Sequence, residues 1–193
     1  MIRAVCVACA SDLSAELGSF CMLHRLIPLG FALFLPIAAL ASALGEKQLG
    51  TEPVGPVILT VSGNIGGDGA EQMVRLDRAM LEKIGTTKLK TSTAWTTGEA
   101  EFEGVLARDL LDALGAEGTL VVATAVNDYV VSIPLRELYD YPVLLALKMN
   151  GEYLELRDKG PIWIVYPRDQ FSELRNSMVD KKWVWQLSEL EVR

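Results

Sequence analysis

Thr91, Ser92, Thr93, Thr96 and Thr97 set five hydroxyls around one indole, Trp95, in the stretch TSTAWTTG. Hydroxyls at this density suit two jobs. They can form a pocket wall that meets polar ligand atoms while the indole offers a flat face. They equally suit a capped turn ahead of a helix, with Trp95 filling core. Two further groupings concentrate polarity at turns, Asn127-Asp128-Tyr129 and Arg157-Asp158-Lys159-Gly160. The first reads as a hairpin turn or as the mouth of a site, the second as a solvated turn or as a seat for anions. The glycine-rich GNIGGDG (63–69) has the composition of a phosphate cradle. It lacks a P-loop lysine and the dinucleotide spacing, so a connecting loop with Asp68 as a helix cap is the better reading.

Cysteine and histidine narrow the chemistry further. Cys6, Cys9, Cys21 and His24 all precede residue 25. From Met22 the chain reads MLHRLIPLGFALFLPIAALASA, with Arg25, an apolar stretch from Leu26, then Ala41-Ser42-Ala43. That is the layout of a secretory signal. It predicts translation from Met22, cleavage after Ala43, residues 1–43 as a signal region, and an exported, periplasmic protein. The alternative is an uncleaved membrane anchor, since about 17 to 25 apolar residues span a bilayer.

A chain cleaved there carries neither Cys nor His. Disulfides, a zinc site of the N/S type, a Ser-His-Asp triad and a cysteine nucleophile are then excluded, and neither zinc nor haem is expected. Cleavage removes two basic and two acidic side chains and leaves the net charge at -7. An acidic chain without a basic run beyond Lys181-Lys182 is not a nucleic-acid binder, because phosphate neutralisation needs a basic face. That lysine pair reads as an exposed turn.

These groups must be positioned by one domain, expected over 57–193 after a lead-in at 44–56. VILTVSG (57–63) predicts a strand. In AEQMVRLDRAMLEKIG, Asp68 and Glu71 predict a capping box, with Met73, Leu76, Met80 and Ile84 on one helical face and Gly85 as the stop. TKLKTSTAW predicts a strand entering the polar turn. EGVLARDLLDALGA predicts a second helix, with Val105, Leu106, Leu110, Leu111 and Leu114 inward and Gly115 at its end. TLVVATAV and YVVSIPL predict strands joined at Asn127-Asp128, PLRELYDYP a short helical turn, and Asn150-Gly151 a hairpin. IWIVYP and the terminal WVWQLSELEVR predict strands, the latter carrying Trp183 and Trp185 on one face as core or, alternatively, as a partner surface. The class is α+β, with mixed or mostly antiparallel sheets and two or three short helices.

In order, TSTAWTTG, FEGVLARDLLDALGA, NDYVVSIPLREL, YPVLLALKMNGEYLELRDKGPIWIVYP and VWQLSELEV resemble the oxidoreductase molybdopterin-binding domain family, of sulfite-oxidase-type fold. The likeness is greatest to its short, exported bacterial single-domain members and covers roughly residues 55–193. It implies molybdopterin as the cofactor, lining a cleft formed by Thr91, Thr93, Trp95, Asn127, Tyr129, Arg157 and Lys159. Catalytic members hold molybdenum through a cysteine four residues before the tryptophan, and here that position is Thr91. After the Gly-Pro, where many catalytic members carry an arginine, stands Trp163, which speaks against an oxyanion substrate such as sulfite. The expectation is an exported module without a metal ligand or an assigned catalytic residue. It would bind a small molecule, a pterin-like ligand, or a periplasmic or membrane protein partner. The alternatives are a true molybdopterin-dependent oxidoreductase with atypical ligation and a sensory or accessory domain of a membrane partner.

Overall fold

A computed structural model describes residues 52–67 and 71–193. Its first strand, β1 (Val57–Asn64), is the β-branched run expected there. β2 (Glu71–Asp77) folds back along it, antiparallel, from Asn64↔Glu71 to Val57↔Asp77. After α1 (Arg78–Ile84) the chain forms β3 (Thr87–Ser92), β4 (Glu99–Leu106), α2 (Ala107–Ala113), β5 (Leu120–Ala125), β6 (Val130–Pro134) and α3 (Leu135–Asp140). β7 (Leu144–Met149), β8 (Glu152–Tyr153), β9 (Trp163–Val165), a 3-10 turn (Ser172–Leu174), α4 (Ser177–Asp180) and β10 (Leu187–Val192) complete it.

Ten strands build two sheets among the described residues. One has the order β2-β1-β10-β5-β6, with β1 and β10 parallel and the other pairs antiparallel. The other runs β3-β4-β7-β8, and β9 joins β7 beside β8. One mixed and one antiparallel sheet with short helices make the class α+β. Among the described residues four helices occur where two or three were expected, because PLRELYDYP and the NSMVD segment each form a short one. The apolar residues of both sheets and of the helices' inner faces join in one buried cluster, whose bulkiest members are Trp163, Tyr166 and Phe102. No helix among the described residues is long and apolar enough to cross a membrane.

Three expectations are corrected. The helix predicted from Glu71 begins only at Arg78; residues 71–77 are strand β2. There, Val74 and Leu76 face inward while Met73 and Arg75 face out, a period of two that pairing with β1 enforces. The cap is Asp77, whose carboxylate accepts the Met80 N–H at 2.8 Å, while Asp68 lies outside the described residues. The second helix likewise starts at Ala107, so Val105 and Leu106 belong to β4. Trp183 and Trp185 precede the last strand, which starts at Leu187; Gln186, at φ 53°, breaks the extended run between them.

Turn chemistry follows the residue types. Asn150 and Gly151 both take positive φ between β7 and β8, as a two-residue hairpin requires. The β5–β6 connection is longer than a two-residue turn, spanning Val126–Tyr129 with Asp128 left-handed. At Gly104 a bulge in β4 brings the backbone against Leu145, where a Cβ would strike the Leu145 carbonyl. This close approach seats β4 against β7 and sends the chain into α2.

Candidate functional site

The polar turn after β3 is held by its own hydroxyls. Thr93 Oγ1 accepts the Trp95 N–H at 3.0 Å and lies 2.9 Å from Thr96 Oγ1. Thr91 is fully buried; its hydroxyl donates to the Ser92 carbonyl and accepts the Asp169 N–H, both at 3.3 Å. Ser92 donates its backbone N–H and, at 2.8 Å, its hydroxyl to the Asp169 carboxylate. These donors, the Ser92 N–H foremost, hold the Asp169 carboxyl below its ordinary value, and Arg175 adds to the effect. Thr91 and Ser92 therefore pin the turn to the segment after β9.

What the turn projects is Trp95, 41% exposed. It meets Trp185 at 5.4 Å between centroids with planes at 87°, Trp183 at 5.8 Å and 55°, and Trp163 at 6.4 Å and 65°. All four tryptophans of the chain thus share one cluster, built from the β3–β4 turn, β9 and the segment before β10. Trp163 and Trp183 are buried and Trp185 is 36% exposed. The indole N–H groups of Trp163 and Trp183 have no hydrogen-bond partner among the described residues. Each such buried donor costs on the order of 1–3 kcal/mol.

A cleft of about 540 Å³ opens over this cluster, lined by Trp95, Asn127, Tyr129, Asp158, Asp180, Lys181, Trp183, Trp185 and Gln186. Asn127 Oδ1 accepts the Tyr129 N–H at 3.3 Å. The Tyr129 hydroxyl reaches across to donate to the Lys181 carbonyl at 2.8 Å. Lys159 lies behind the lining, with its ammonium 2.8 Å from Asp158 and over the rings of Trp185 (5.4 Å) and Trp163 (5.5 Å). Asp180 faces Arg168 at 3.5 Å.

Of the seven residues singled out in the sequence, the structure brings Trp95, Asn127 and Tyr129 to the cleft wall and Lys159 to its aromatic backing. Thr91 and Thr93 support the turn beneath. Arg157 stands apart, 84% exposed and paired with Glu155 at 2.5 Å. Sequence reasoning did not place Asp180, Lys181, Trp183, Trp185 or Gln186 in the site, and Asp158 entered only within the Arg157–Gly160 turn. Lys181 and Lys182 form the turn expected of them, and Lys181 is exposed as expected. Lys181 lines the cleft, whereas Lys182 is half-buried against Glu137 at 2.5 Å. The signal that could have found the site was the shared aromatic content of TSTAWTTG, PIWIVYP and KKWVWQ.

Among the described residues no group of three or more His, Cys, Asp or Glu side chains could hold a metal ion. The cleft offers indole faces, two side-chain amides, two carboxylates and an ammonium, a set suited to a small organic ligand. A family model described as "Oxidoreductase molybdopterin binding domain" matches residues 72–190. A comparison with curated proteins found no match.

Proposed function

The chain belongs to the oxidoreductase molybdopterin-binding domain family, and from that premise we propose that it is an exported binding module using the family's cleft without its metal chemistry. The observation that carries this reading is the donor set. Residues 52–193 contain neither Cys nor His. Thr91, which the resemblance places at the metal-ligand position, presents a buried, neutral hydroxyl already engaged by Ser92 and Asp169. Soft thiolate suits such a metal centre, whereas an alcohol is a hard, weak donor. The residues present do not fit the metal, so no molybdenum step is routed through them.

Two supporting elements belong to the same reading. The arrangement of one mixed and one antiparallel sheet is taken as the sulfite-oxidase-type fold. Export rests on the Met22–Ala43 layout, outside the described residues, and its cleavage would also remove Cys6, Cys9 and Cys21. The wide, aromatic-lined cleft favours a small molecule over a protein partner as occupant.

The test is metal and pterin analysis of the protein purified from its native host, with sequencing of its N-terminus. Protein free of molybdenum and pterin and beginning after Ala43 supports the reading. Stoichiometric molybdenum with pterin overturns it in favour of an oxidoreductase with atypical ligation.

A further inference from the structure

The tryptophan cluster has a shape that selects among small molecules. Trp95 and Trp185, both partly exposed, stand perpendicular to each other, and Trp183 closes the angle behind them. A flat ring or a sugar stacks on one plane and leaves the other wall unused. A rounded cation touches several ring faces at once, and the negative face of each indole attracts it. The protein already seats one ammonium against this cluster, that of Lys159 over Trp163 and Trp185.

Charge refines the choice. Asp158 and Asp180 line the cleft but each already faces a cation, Lys159 and Arg168 respectively. The charge of each carboxylate is thus already answered by a cation through one of its oxygens, so a primary ammonium gains less from them; a fully methylated nitrogen needs no acceptor and relies on the ring faces. Lys181 also lines the cleft, and its ammonium has no ion pair among the described residues. A bare cation would meet that charge as repulsion, while a carboxylate on the same molecule would answer it. We propose that the cleft takes a small zwitterion, with a quaternary ammonium in the corner of Trp95, Trp183 and Trp185 and a carboxylate on Lys181. This rests on the reading of the cleft as a ligand site.

The experiment titrates the full chain with glycine betaine, followed by tryptophan fluorescence and calorimetry, with tetramethylammonium and acetate as its two halves. Glycine betaine is expected to bind saturably, tetramethylammonium more weakly and acetate not at all. Trp185→Ala should weaken glycine betaine and tetramethylammonium by about tenfold each. Lys181→Met should bring glycine betaine down to the level of tetramethylammonium while leaving the latter no weaker. Failure of glycine betaine to saturate at its highest soluble concentration, or unchanged affinity in either variant, overturns the proposal. Recovery of molybdenum and pterin would instead remove the reading beneath it, whereas metal-free protein that ignores glycine betaine removes this inference alone.

Discussion

The Tyr129 hydroxyl donates to the Lys181 carbonyl at 2.8 Å, tying the β5–β6 turn to the segment after α4 across 52 residues of sequence. The bond is exposed, so its energy is modest, but it is a tie between two walls of the cleft. Tyr129→Phe should cost about 0.5–1.5 kcal/mol in denaturant unfolding. Faster amide exchange at residues 181–186, with unchanged exchange in β1 and β5, would report the loosened wall.

Thr91 is expected to act through structure and not through ligation. Thr91→Val keeps its shape but leaves the half-buried Asp169 N–H without its acceptor. Stability should fall by about 1–3 kcal/mol, while ligand affinity at the cleft changes less than threefold, a bound set by the additivity of sites with no shared contact. A loss of ligand binding as large as that of Trp185→Ala would contradict this role.

The four tryptophans should differ in energy according to burial. Trp163 is fully enclosed between Phe102 and the other indoles, so Trp163→Ala should cost about 3–5 kcal/mol. Trp185, more than a third exposed, should cost about 1–2 kcal/mol when truncated, since only part of its area leaves water. Denaturation midpoints of the two variants check the order.

Acid should weaken the fold partly through Asp77. The N–H groups of Gly55 and Met80 (both 2.8 Å) and Val54 (2.9 Å) converge on its carboxylate, and that of Gly55 does most to hold its carboxyl below the ordinary value of 3.8. A depressed folded value means the contribution is complete above the ordinary value and is lost as pH falls through the folded one. In Asp77→Asn the amide still caps α1 but no longer titrates. Its midpoint should sit below wild type at pH 7 and approach it as pH falls below the ordinary value of 3.8.

Legibility in the sequence followed how local each signal was. The β-branched run at 57–63, the Asn150-Gly151 hairpin and the glycine stops at 85 and 115 depend on neighbours only, and each lies where expected. The two expected helices came out shorter because their first stretches, 71–77 and 103–106, are strand, with partners β1, β3 and β7 that lie elsewhere in the chain. Leu76 and Met80 are spaced as on a helix, yet Leu76 belongs to strand β2 and Met80 to the first turn of α1. At the site, Trp95 and the Asn127–Tyr129 turn stood out by composition. Trp183 and Trp185 did not, because the break at Gln186 depends on that residue's left-handed backbone and its bonds to Lys159 and Leu156.

The parallel pairing of β1 with β10 has a consequence for synthesis. β10 is the middle strand of its sheet, flanked by β1 and β5, yet the ribosome reads it after both. Until residues 187–192 emerge, those neighbours present open edges with unmet N–H and C=O groups, a template for adhesion to other chains. Closure of the sheet therefore waits on its last-made strand, and a product ending before Leu187 has two sticky margins where a chain carrying β10 has a seam.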